Sequence, residues 1–128
     1  MIIGTLTVLG QQRIRKHIAD YAAHTLTIAW GICKTTDTAL ETDTALVKEL
    51  GRKAATVAVS GDELTISCSQ AISAPIEVLE VGIYSTGGYL CYRGLLSDDS
   101  ATAKTRYVAA GDTLTFSIVF DFANGAFV

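Results

Sequence analysis

The chain has 128 residues, the length of one domain with one core. Hydrophobic residues make up 49% of it and charged residues only 18%, and this apolar composition indicates surface that partner proteins cover. The net charge of −3 and the scattered Lys and Arg residues argue against nucleic acid as a partner, and no apolar run approaches the roughly 18 residues of a membrane-spanning helix or suits a secretion signal.

The N-terminal part of the chain predicts one amphipathic helix, from Thr7 to about Ala23. Apolar residues recur there at spacings of three and four, and charged residues fill the other face. The apolar positions are Ile14, Ile18, Tyr21 and Ala22. Thr7 is the predicted N-cap. Because the helix must cover apolar surface, we expect it to lie against one sheet or across the open end of a two-sheet fold.

The first predicted strand follows over residues 25–31. Leu26, Ile28 and Trp30 alternate there with small or polar residues, at the period of two that is typical of a strand. The sequence therefore changes from a helical to an extended pattern close to Thr25.

A short second helix is predicted over residues 45–50. Asp43 or Thr44 can cap its start. Gly51 can end it, because glycine tolerates the left-handed conformation that terminates many helices. We expect one or two helical turns here.

The rest of the chain predicts strands joined by tight turns. Residues 55–59 and 64–68 alternate on either side of a turn at residues 60–62, which indicates a hairpin. Residues 76–84 predict a longer strand, and residues 89–96 its antiparallel partner across a glycine-rich turn.

The clearest strand pattern runs from Asp112 to Phe122. Every second residue is large and apolar, so this face must be buried. Its members are Leu114, Phe116, Ile118, Phe120 and Phe122. Val119 interrupts the polar residues of the opposite face. Six or seven strands closed by hairpins and preceded by one helix predict a single mainly β domain over residues 1–128, an antiparallel β-sandwich with an N-terminal α-helix and the short second helix.

The cysteines predict reduced thiols. Cys33, Cys68 and Cys91 are an odd number without close pairs, so their spacing indicates neither a disulfide framework nor a zinc knuckle. Two of them lie in apolar alternating runs, where a cysteine acts as a small buried hydrophobic residue. We expect no intrachain disulfide and folding in a reducing cytoplasm.

No catalytic constellation is apparent. His17 and His24 have no third metal ligand nearby, and no nucleophile elbow is present. Gly87-Gly88 joins two strands and opens no helix, so it lacks the amides that would bind phosphate. We predict that the chain is not an enzyme and binds no cofactor and no metal.

Carboxylates group in two places. Glu77 and Glu80 would face opposite sides of a strand, because their separation is odd. The Asp98-Asp99 pair is typical of a solvated loop, and a calcium contact by this pair is the alternative.

Six stretches, spread in order over most of the chain after the opening helix, form a series. They are Ile28-Ala29-Trp30-Gly31, Asp43-Thr44-Ala45-Leu46, Glu49-Leu50-Gly51-Arg52-Lys53-Ala54, Glu80-Val81-Gly82-Ile83-Tyr84, Gly88-Tyr89-Leu90 and Gly111-Asp112-Thr113-Leu114-Thr115-Phe116. In this order and spacing the series resembles a class of tailed-bacteriophage virion proteins, described as tail-fibre, tail-collar or baseplate-associated proteins. The resemblance implies a compact β module, often trimeric, that is attached to a virion and has no active site.

We therefore expect a virion structural protein of the tail-fibre or baseplate type, folded in the host cytoplasm, with itself and other virion proteins as partners. One alternative is a capsid decoration protein, a head cement or head fibre bound at a symmetry axis. Another is a free ligand-binding or glycan-binding module that uses Trp30 and the tyrosines.

The apolar ends of the chain predict an assembly interface. Soluble monomers usually have polar termini, and an edge strand that carries an apolar residue invites a neighbour. The predicted interface residues are Ile2, Ile3, Val119, Ala126, Phe127 and Val128. We expect a homo-oligomer, a trimer by the resemblance, and the alternative is that both ends pack into the domain's own core.

Overall fold

The computed structural model describes residues 2–7, 26–60, 63–85 and 88–121. Except for Thr7, the predicted N-terminal helix lies outside these ranges. So do His17, His24, Gly61, Asp62, Gly87, Phe122, Ala126, Phe127 and Val128.

The described residues form ten strands and no helix, which confirms the mainly β prediction. The strands are β1 (Ile2–Leu6), β2 (Thr27–Gly31), β3 (Glu49–Ala54), β4 (Thr56–Ser60), β5 (Glu63–Ala71), β6 (Ile76–Val78), β7 (Glu80–Ser85), β8 (Tyr89–Leu96), β9 (Arg106–Val108) and β10 (Thr113–Asp121). The predicted strand at residues 25–31 is β2.

These strands form three antiparallel sheets. The largest has five strands in the order β1-β8-β7-β2-β3, the second has three in the order β10-β5-β4, and the third pairs β6 with β9. Both predicted hairpins are confirmed, since β4 pairs with β5 and β7 pairs with β8.

One apolar core joins the five-stranded and three-stranded sheets. Trp30 of β2 stacks on Phe116 of β10 with ring centroids 6.2 Å apart, and Tyr92 of β8 meets Phe120 edge to face at 5.7 Å. The predicted apolar face of β10 is confirmed, with Leu114, Phe116 and Ile118 buried and Phe120 partly buried. The two sheets are held together by this contact of aromatic and aliphatic side chains.

The long strand predicted at residues 76–84 was wrong, because the chain changes sheet at Leu79. β6 pairs with β9, whereas β7 pairs with β2 and β8. Leu79 donates its N–H to the carbonyl of Gly31, and its own carbonyl accepts from Leu96. Val78 and Leu79 are adjacent and both fully buried, so the period of two breaks between them.

The short second helix was also wrong. Residues 45–48 are irregular, and β3 begins at Glu49 and pairs with β2. Gly51 lies inside β3, where a Cβ atom would come within 2.7 Å of the Trp30 indole. Pairing with β2 therefore overrides the local helical pattern, and this glycine permits close approach to a ring instead of ending a helix.

Candidate functional site

The free edge of β10 is the first candidate. Among the described strands, β10 is hydrogen-bonded to β5 alone. It has nine residues, its register with β5 is unbroken, and the segment from Thr113 to Phe120 contains no charge, proline or glycine. Soluble proteins normally protect such an edge with charges, bulges or proline, because its unpaired backbone groups attract another strand.

The edge strand β3 of the five-stranded sheet is protected in this way. Glu49, Arg52 and Lys53 lie along it, and Arg52 donates from Nε to Glu49 at 2.7 Å. The Arg52 guanidinium also lies 4.5 Å from the centre of the Tyr84 ring. The β3 edge thus carries charges, whereas β4 and the longer β10 from Thr113 to Phe120 carry none.

A groove of about 1110 Å³ runs along β10. Tyr92 and Leu96 of β8 line it opposite residues 113–119 of β10. Its charged lining residues lie between the end of β8 and the start of β10, with Arg106 in β9, and are Asp98, Asp99, Lys104, Arg106 and Asp112. The groove is therefore uncharged along β10 and charged at one end.

The outward face of β10 carries hydroxyl groups. Thr115 shares a 3.0 Å hydrogen bond with Ser69 of β5, and Ser117 lies opposite Ser67. Val119 is the apolar exception and is 51% exposed. Of the other predicted interface residues in the described ranges, Ile2 and Ile3 lie in β1, paired with Leu96 and Leu95 of β8.

A second candidate is a buried ion pair on the opposite face of the five-stranded sheet. Arg93 donates from Nε to Glu80 Oε2 at 3.0 Å, and from Nη1 to Asp43 Oδ2 at 3.1 Å. Glu80 also accepts the backbone N–H of Lys48 at 2.9 Å. Arg93 Nη2 is buried and has no hydrogen-bond partner among the described residues.

These contacts hold residues 32–48 across the sheet. Tyr84 accepts the backbone N–H of Leu46 through its hydroxyl at 3.3 Å, and Leu46 packs with Tyr84, Ala29 and Leu90 in a small apolar cluster. The ion pair therefore stabilises the fold, because Asp43 lies in this segment and Glu80 accepts a hydrogen bond from it.

Sequence reasoning missed this ion pair. Glu80 and Arg93 each lie in a strand that is otherwise almost wholly apolar. A buried charge requires a partner of opposite charge. One acidic and one basic residue in two apolar strands that were predicted to pair could therefore have predicted this ion pair.

The thiols lack the environment of a nucleophile. Burial, helped by the nearby Glu80 carboxylate, raises the pKa of Cys33 to about 11. Burial also raises the pKa of Cys68. All three cysteines are free, and Cys68 and Cys91 are buried as predicted. A thiol protonated at neutral pH is a poor nucleophile and a poor metal ligand.

Two other predicted sites have structural roles. Trp30 is only 5% exposed, so its indole does not offer a surface for a sugar. Asp98 accepts the backbone N–H groups of Ser100 and Thr102 at 2.9 and 3.0 Å, which closes a turn. Within the described ranges, no three His, Cys, Asp or Glu residues group as a metal site would require.

No protein-family model, curated protein or solved structure matches the chain. The described part of the chain contains no helix with the length and apolar character needed to cross a bilayer.

Proposed function

We propose that this chain is a structural module of a tailed-bacteriophage virion, of the tail-fibre or baseplate type, which acts by assembly and not by catalysis. Its partners are further copies of itself and other virion proteins. The observation that carries the proposal is the edge of β10, which pairs with β5 alone among the described strands and is uncharged from Thr113 to Phe120. A long edge strand without protective charges is a site where another chain adds.

The architecture supports this role. The two larger sheets share one core and act as a β-sandwich, a rigid body of the kind that structural proteins use. The described polar clusters are engaged in holding the fold, as Arg93 with Glu80 and Asp98 with its turn illustrate. The raised pKa of Cys33 is unsuited to nucleophilic chemistry.

The virion location and the trimeric state come from the sequence resemblance. The resemblance covers most of β2 and β7, all of β3, the start of β8 and the first residues of β10, so it lies mainly in the five-stranded sheet. The free thiols are consistent with folding in the host cytoplasm before incorporation into the particle.

Two experiments test the proposal. Light scattering on the purified chain should give the mass of a homo-oligomer, and a monomer at high concentration would contradict self-assembly. A cryo-electron map of the intact particle should contain the module in the tail or baseplate. Density on the capsid instead would make it a decoration protein, and its absence from the particle would refute the virion role.

A further inference from the structure

The five-stranded sheet has two strands more than the three-stranded sheet. The extra strands lie on the side of the core where β10 ends the smaller sheet. Ala55 alone separates β3 from β4, so these two edge strands lie at the same side of the core. From that side the smaller sheet ends at β10, while the larger sheet continues through β8 to β1. Of the larger sheet, Tyr92 and Leu96 of β8 line the groove beside β10.

This groove has the features that one extended strand requires. The free edge of β10 supplies backbone N–H and C=O groups along nine residues. Tyr92 and Leu96 supply apolar surface for the side chains on one face of an added strand. Strand addition of this kind gains affinity from main-chain hydrogen bonds and specificity from alternate side chains.

A second intact module cannot pair its own β10 with this edge. Antiparallel pairing of two β10 strands has a twofold axis perpendicular to the sheet, which places both five-stranded sheets on the same side. The β8 and β1 strands of the two copies would then occupy the same space. The groove therefore fits a single segment of chain better than the edge of a whole sheet.

We infer that the groove receives residues 122–128 of a second copy, which add a strand to β10. The inference rests on the proposed function, since it names one contact by which the module assembles. This segment is Phe-Ala-Asn-Gly-Ala-Phe-Val, which carries no charge and three large apolar side chains. It matches an edge that is uncharged from Thr113 to Phe120 and a groove whose β8 lining is apolar.

Length and position favour this segment over the rest of the chain. Seven extended residues span roughly 24 Å, most of the roughly 30 Å of β10. The other apolar end of the chain is already used, because β1 pairs with β8 in its own module.

Two valines provide a matched test in the full-length chain. Val119 is 51% exposed on β10, and Val59 is 48% exposed on β4, the opposite edge of the same sheet. We expect Val119→Lys to weaken self-association measured by light scattering about tenfold, since an edge lysine opposes strand addition. Val59→Lys should leave it unchanged. Equal effects of the two substitutions, or no effect of either on an intact oligomer, would overturn the inference.

A labelled peptide of residues 122–128 tests the segment directly. Circular dichroism and thermal unfolding first establish that a chain lacking these residues is folded. The peptide should then bind this shortened chain. Val119→Lys in the shortened chain should weaken the binding about tenfold. If the shortened chain does not fold, the same peptide in excess should dissociate the full-length oligomer.

The outcomes separate the inference from the proposed function. If the peptide neither binds the shortened chain nor dissociates the oligomer, while the full-length chain remains oligomeric, another contact carries assembly and only the inference fails. If the full-length chain is monomeric and removal of the segment lowers only its thermal stability, the segment packs within its own module. Both the inference and self-assembly then fail.

Discussion

Arg93 and Glu80 face each other on neighbouring strands, with Nε and Oε2 3.0 Å apart and side chains that are 4% and 0% exposed. The chain contains a second Arg–Glu pair, Arg52 with Glu49, whose side chains are 46% and 29% exposed. The two pairs have the same chemistry and opposite burial, so they form a natural comparison.

Loss of the buried pair should destabilise the fold far more than loss of the exposed one. Glu80→Gln leaves the Arg93 charge buried with Asp43 as its remaining carboxylate, and we expect a loss of about 3 kcal/mol in the free energy of unfolding. Glu49→Gln should cost less than about 1 kcal/mol, since water solvates both partners. Urea unfolding measures both values, and similar losses would show that the Arg93–Glu80 pair is not buried.

The aromatic contact between the sheets should be a main source of stability. Phe116 is 4% exposed and stacks on Trp30, so Phe116→Ala should lower the free energy of unfolding by about 3–5 kcal/mol through the cavity it leaves. Ser117→Ala, on the exposed face of the same strand, should change it by no more than about 0.5 kcal/mol. A loss below about 1 kcal/mol for Phe116→Ala would place that face in solvent.

Stability should fall in alkaline solution. Burial raises the pKa of Tyr92 to about 12 from 10.0, and burial raises the pKa of Cys33 to about 11 from 9.0. The folded state keeps both protons to a higher pH than the unfolded state, so the free energy of unfolding decreases as the pH rises from 9 to 12.

Tyr92→Phe isolates one of these two groups. It keeps the ring against Phe120 and should remove the part of the decrease between pH 10 and 12. Urea unfolding at a series of pH values measures the effect. An unchanged decrease in the variant would mean that the Tyr92 hydroxyl titrates normally in the folded state.

The three thiols should remain free and react slowly. A pKa of about 11 in place of 9.0 lowers the thiolate fraction of Cys33 at pH 7 about a hundredfold. Ellman's reagent should therefore label the folded protein far more slowly than the same protein in urea. Mass spectrometry without reductant should show no loss of two hydrogens, and such a loss would reveal a disulfide that the predicted reducing compartment does not favour.

Local patterns were sufficient for the hairpin of β4 and β5 and for the buried face of β10, but not for β1, β3 or β9. The alternation from Thr113 to Phe120 determines which residues of β10 are buried, because the side chains of any strand alternate between its two faces. The hairpin of β4 and β5 follows from two alternating runs on either side of a turn. The break at Leu79 was also readable, since two adjacent apolar residues end the alternation there.

Features that depend on the order of the strands could not be predicted from local patterns. Gly51 lies within a strand because β3 pairs with β2, a contact between distant segments that no local propensity contains. Arg93 meets Glu80 because β7 and β8 align their charges on one face, 13 residues apart along the chain. The alternation of residues along β10 is enough to predict a strand with one apolar face. That β10 lies at a sheet edge beside a groove is decided by the order of the strands, because a free edge exists only where no neighbouring strand pairs.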